Sequence, residues 1–131
     1  MKNIRIKYDF SHGPIWKDVL DLSTGKWLTG ISVIDNDMAL SVLNEEAEKE
    51  YSSLYSFDND GVLHFNEKMY KQKKNNLQSL VQTIVLRINS LNDGTYVVVD
   101  EETPKLLQEK YSVNHKMFST SVNVIKLKQN Q

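Results

Sequence analysis

The chain of 131 residues predicts an α+β fold, a single compact domain spanning 1–131 in which an antiparallel or mixed sheet packs against two main helices. Three observations predict it. The first ten residues alternate with period two, two later stretches repeat their apolar residues at spacings of three and four, and a β-branched run follows the second of these. The length fits one domain, and neither a repeat nor a linker divides it.

Taken in order, Ile4, Ile6, Tyr8 and Phe10 fall on one side of an extended segment, with Asn3, Arg5, Lys7 and Asp9 on the other. That is the signature of a half-buried strand. Ser11-His12-Gly13-Pro14 breaks it, since proline constrains its predecessor and glycine opens unusual dihedrals. Extended stretches over Ile15–Asp21 and Lys26–Ile31 flank Leu22-Ser23-Thr24-Gly25 and read as a β-hairpin. Leu40, Leu43, Ala47, Tyr51 and Leu54 then share a helical face, predicting a helix over about 37–55. Asp35, Asn36 and Asp37 are candidate N-caps, and Asn44 before Glu45 and Glu46 offers a competing start.

Phe57 to Gly61 is turn chemistry, and Val62–Phe65 reads as a brief extended piece. Leu77, Leu80, Val81, Ile84, Val85 and Ile88 form the strongest stripe, predicting a helix over about 66–91 capped by Asn66 and stopped at Asn92-Asp93-Gly94. Thr95–Val99 reads as a central strand covered on both faces. Thr103-Pro104 predicts a short third helix over about 104–110, and Phe118–Leu127 a closing strand.

Composition excludes several classes of function. With no cysteine, disulfide scaffolds, thiolate metal sites and cysteine nucleophiles are ruled out. A formal net charge of −1 gives no general attraction to nucleic acid or anionic membrane. Tyr96–Val99 is the longest apolar run, far below the ~20 residues of a bilayer span. The first ten residues lack the apolar block of a secretion signal, so a cytoplasmic location is expected. Lysine outnumbers arginine 14 to 2, a bias of AT-rich, typically bacterial, coding.

Charge is unevenly distributed. Residues 27–66 carry a net −7, with Lys49 facing Asp35, Asp37, Glu45, Glu46, Glu48, Glu50, Asp58 and Asp60, whereas residues 67–91 carry +4. Either the acidic helix lies beside the basic start of the next one, or it faces outward as a docking surface for a basic partner.

No nucleotide loop is present. Ser23-Thr24-Gly25-Lys26 has Leu20 where a Walker loop needs glycine and Trp27 where it needs Ser or Thr. His12, His64 and His115 are too far apart for a zinc motif. His12 sits in a Gly/Pro loop with Asp9 and Asp18 nearby in sequence, where an oriented imidazole would serve a ligand-binding or catalytic site. Tyr8, Phe10, Trp16 and Trp27 concentrate aromatic area around it, as core or as cleft lining. No cofactor is implied.

Ser56, Asp58, Asp60, Gly61 and Glu67, with Leu63 between, fall at positions 1, 3, 5, 6 and 12 of a twelve-residue frame. This resembles an EF-hand loop, and the resemblance implies calcium held by Asp58, Asp60 and Glu67. It departs from that pattern at Ser56, where a carboxylate anchors the ion, and at His64 in the ninth position. The competing reading is a plain turn over 58–61. The leading expectation is a non-enzymatic protein-interaction module of the inhibitor or immunity type. It would meet a basic protein through Asp35, Asp37, Glu45, Glu46 and Glu48. Calcium binding and a His12-centred ligand site or enzyme are the alternatives.

Overall fold

Alternation at the N-terminus becomes a strand because one of its faces has a core to meet. In the computed structural model, which describes residues 1–105, β1 (Lys2–Ile6) buries Ile4 and Ile6 and exposes Asn3 and Arg5. A hairpin of β2 (Val19–Asp21) and β3 (Lys26–Leu28) follows, then a short helix α1 (Ser32–Asp35) and the long helix α2 (Met38–Ser52). A second hairpin, β4 (Tyr55–Phe57) and β5 (Leu63–Phe65), leads into α3 (Glu67–Ser90) and β6 (Tyr96–Asp100).

The pairing is mixed. β6 runs parallel to β1 with Lys2 opposite Tyr96 and Ile6 opposite Asp100, a geometry that requires a crossover. On the other edge of β1 the chain returns antiparallel: Lys7 N donates to Pro14 O and Trp16 N to Arg5 O, both at 2.9 Å. Both hairpins are antiparallel. α3 supplies the largest apolar stripe, with Leu77, Val81, Ile84 and Ile88 all buried. Leu40, Ala47 and Tyr51 from α2 meet it in the same core.

Tyr8 ties these layers together. Its backbone N donates to the buried Glu102 carboxylate at 2.6 Å, and its hydroxyl donates to the Leu77 carbonyl on α3 at 2.8 Å. Its ring stacks on Tyr51 of α2, centroids 4.8 Å apart and planes within 10°. Burial, reinforced by the Glu102 charge, holds its hydroxyl well above the ordinary tyrosine range, so it stays a donor. The helices run antiparallel, joined at each end by an ion pair: Asp37 at the start of α2 to Arg87 near the end of α3, and Glu50 to Lys73 at the other end.

Several expectations shift. α2 covers 38–52 rather than about 37–55 and is preceded by α1, because Asp37 is the residue that caps it, accepting from Leu40 N at 3.0 Å. Asn44 is interior to the helix and not a second start. Tyr55–Phe57 leaves the helix to pair with Leu63–Phe65, and Tyr55 packs across the hairpin on Phe65 with centroids 5.0 Å apart. Leu54 remains buried beyond the helix end. β6 is covered on one face: Tyr96 is buried but Val97 is 44% exposed. The third helix begins by Glu102, two residues earlier than Thr103-Pro104 suggests. Asp100 rather than Thr103 serves its first turn, accepting from Glu102 N and Thr103 N. Its remainder, and the strand expected over 118–127, lie outside the described residues.

Two outcomes are expected. Tyr8→Phe, which keeps the stack and loses the bond to Leu77, should cost about 1 kcal/mol, read as a lower urea midpoint at unchanged slope. Asp37 combines a cap with an ion pair. Cap loss is worth about 1 kcal/mol, whereas a surface pair is worth less, so Asp37→Ala should destabilise more than Asp37→Asn. The Arg87 guanidinium, with the Leu40 amide, holds the Asp37 carboxyl below its ordinary 3.8. A depressed folded-state value means the contribution is complete above 3.8 and is lost as pH falls through the folded value. The urea midpoints of the wild type and Asp37→Asn should therefore converge between about pH 5 and about pH 2.

Candidate functional site

The loop after β1 is laid across α2 by local bonds. Asp9 accepts from Phe10 N through its side chain and from His12 N through its carbonyl. Ser11 takes a positive φ of 66° at the tip, a conformation uncommon for a residue with a side chain. Its backbone N donates to Ser52 Oγ at the end of α2, at 3.0 Å. Farther along, Ile15 N donates to Asn44 Oδ1 at 2.9 Å. Gly13 lies so close to α2 that a Cβ there would fall inside the Asn44 carboxamide. Glycine at this position is required by space.

The β2–β3 hairpin forms the opposite wall. Asp21 closes its loop, accepting from Ser23 N, Ser23 Oγ and Thr24 Oγ1, and these bonds, the Ser23 hydroxyl first, lower its pKa. At its base Asp35 accepts from Thr29 N, Thr29 Oγ1 and Gly30 N at 2.8–3.0 Å. Between loop, hairpin and helix lies a cleft of about 430 Å³, lined by His12, Trp16, Asp18, Trp27, Asn44 and Glu48 among others.

The cleft has three kinds of surface. Its aromatic walls are the chain's only two tryptophans. Trp16 already carries Lys7 Nζ at 4.7 Å from its centroid. Trp27 is 57% exposed. Its charges are Glu48, Asp18 and Lys17, with Asp18 itself 3.4 Å from Lys2. Its floor is Asn44, only 8% exposed. Because Ile15 N–H needs an acceptor, the carboxamide oxygen must face it, which leaves Nδ2 as a donor with no protein acceptor among the described residues, in contact with solvent at the cleft rather than sealed inside the core.

The sequence-predicted residues separate on this frame. Asp35 and Asp37 are committed inside the fold, the first to the hairpin base and the second to the α2 cap and Arg87. Glu45 and Glu46 stand exposed on α2, and Glu48 is partly buried at the cleft. His12 lies beside Trp16, ring centroids 5.9 Å apart. Neither Asp9 nor Asp18 is hydrogen-bonded to its imidazole, and Ser11 and His12 share no bond among the described residues. A nucleophile activated by its base is therefore not assembled there.

The 56–67 segment runs through the β4–β5 hairpin and into the first residue of α3. Asp58 Oδ1 accepts from Asp60 N and Val62 N, both at 2.9 Å, and Oδ2 meets His64 Nε2 at 2.6 Å. The imidazole first, then these amides, lower the Asp58 pKa. Gly61 takes φ +80° in the turn. Asp60 is exposed, and Glu67 sits in the first turn of α3. Among the described residues no group of three or more His, Cys, Asp or Glu is arranged to hold a metal ion.

Asn44 is the residue the sequence reading undervalued. Its signal was present: it stands on the stripe of Leu40 and Ala47, where a polar residue must find a partner. Gly13→Ala should therefore destabilise by about 1–3 kcal/mol through overpacking, measured by urea unfolding. Gly25→Ala, whose added Cβ meets nothing within 4 Å but whose φ of +73° an L residue resists, separates the cost of backbone strain from that of overpacking. No family model matches the chain, and no curated protein or solved structure shows significant similarity to it, so its function has to be argued from this site.

Proposed function

We propose that the chain is a cytoplasmic, non-enzymatic protein-interaction module, of the inhibitor or immunity type, that engages a basic protein through the outer face of α2. The observation that carries this reading is where unpaired acid remains. Glu50 and Asp37 are neutralised by Lys73 and Arg87, while Glu45 and Glu46 are exposed with no bonded cation among the described residues. Met38 and Val42, both exposed, continue the same face at helical spacing. Apolar contact area bordered by charge suits a protein partner, the charge steering encounter and selecting sign. Lys49 is the one opposing charge on that face of α2.

A second reading has support from one observation, the cleft beside His12. A concave site with two indoles and several polar groups suits a small ligand as well. It differs from the first in predicting indifference to Glu45 and Glu46.

The test is capture from native lysate, followed by identification and titration of the captured protein. The partner should be basic, and its affinity should fall steeply with salt. Glu45→Lys with Glu46→Lys should weaken it by at least roughly tenfold, since like charges now face each other. Capture that is unchanged by the double reversal, or a partner without net positive charge, overturns the reading.

A further inference from the structure

The cleft borders the acidic face through Glu48, and its chemistry is more specific than charge alone. Three of its features are not used by the fold. Trp27, more than half exposed, has no ring or cation contact among the described residues. The Glu48 carboxylate has no bonded partner there either, unlike Asp18, which Lys2 approaches. Asn44 Nδ2 is a donor without an acceptor in a side chain more than nine-tenths buried. The donor is open to solvent at the cleft and has no protein acceptor there, so it is free to serve a bound group.

We infer that this cleft seats one arginine side chain of the basic partner together with the main-chain carbonyl next to it, an inference that rests on the interaction reading above. The guanidinium lies on the Trp27 indole and pairs with Glu48, and the carbonyl accepts from Asn44 Nδ2. Arginine fits better than lysine because its planar cation both stacks on an aromatic face and meets a carboxylate with two parallel bonds. Lys7 already covers Trp16, which leaves Trp27 as the stacking surface. A volume of about 430 Å³ accommodates one long side chain and a piece of backbone. Lys17 lines the same cleft with the opposite sign. It works against the guanidinium and gives the test its direction.

Both tryptophans of the chain line the cleft, so intrinsic fluorescence reports on it directly. The probe is a capped Gly-Arg-Gly peptide, compared with its citrulline and lysine counterparts and with methylguanidinium, titrated against the full chain. The arginine peptide should give a saturable change with a millimolar Kd, tighter than methylguanidinium, which lacks the carbonyl. Glu48→Gln should weaken it roughly tenfold, the loss of a charge-assisted pair, Trp27→Ala should weaken it as well, and Lys17→Gln should tighten it. Far-UV circular dichroism checks that each variant is folded.

Equal binding of the citrulline peptide overturns the inference, because the cation would then be irrelevant. So does the reverse order of Glu48→Gln and Lys17→Gln, which would mark an anionic ligand, and so does the absence of saturation. Lysine binding as tightly as arginine overturns the stacking assignment. Failure of the peptide alongside partner capture that still depends on Glu45 and Glu46 removes the cleft inference and leaves the acidic-face reading standing. The opposite pattern removes the latter alone.

Discussion

Tyr8 is the constraint on which the rest of the described structure depends. It stands two residues beyond the first strand, and three different interactions converge on it: a backbone bond to the buried Glu102, a ring stack on α2 and a hydroxyl bond to α3. The apolar contacts around it are large but non-directional. The polar ones set distance and angle, since a buried donor or acceptor that misses its partner costs more than it gains by shifting. With Tyr8 placed, the chain leaving it crosses the C-terminal half of α2, bonded to Ser52 and then to Asn44. The turn at Ser11 and the Ile15 bond to Asn44 follow from that crossing, and the cleft is the space they leave beside the hairpin.

Electrostatics on this molecule is local. A formal net charge of −1 describes nothing that a partner would meet, since screening in physiological salt confines exposed charges to about 8 Å. What matters is which carboxylates already have cations. The antiparallel helices bring Asp37 to Arg87 and Glu50 to Lys73, so part of the acidic block is neutralised within the fold. The middle of α2 has no such neighbour and keeps Glu45 and Glu46 outward. Pairing of the acidic helix with the basic one therefore holds at the two ends of α2, and its middle faces outward, which is what the proposed docking surface rests on.

Long elements were legible in the sequence and short ones were not. α3 repeats its apolar stripe over many turns, so Leu77 to Ile88 and the Asn66 cap define it without tertiary information. β4 has three residues and continues the helical spacing of Tyr51 and Leu54, so local pattern favours helix there. Pairing with Leu63–Phe65 decides otherwise. The aromatic pair Trp16 and Trp27 was visible as a cluster, but core and cleft predict the same composition. Asn44 was visible as a polar residue on an apolar stripe, yet the chain between it and Ile15 hides which group satisfies it.

The sequence by itself determined the α+β class, the two main helices, the buried parity of the first strand and the exclusion of cysteine chemistry. Each rests on periodicity or on composition, which are properties of neighbouring residues. Only the tertiary structure decided that Asp35 and Asp37 serve the fold while Glu45 and Glu46 remain outward, that Asp58 closes a hairpin, and that His12, Trp16, Trp27, Asn44 and Glu48 share one cleft. Those facts join residues far apart in the chain through directional bonds and close packing. Neither leaves a mark on local spacing, because the partner that satisfies a side chain is set by how the elements pack against one another.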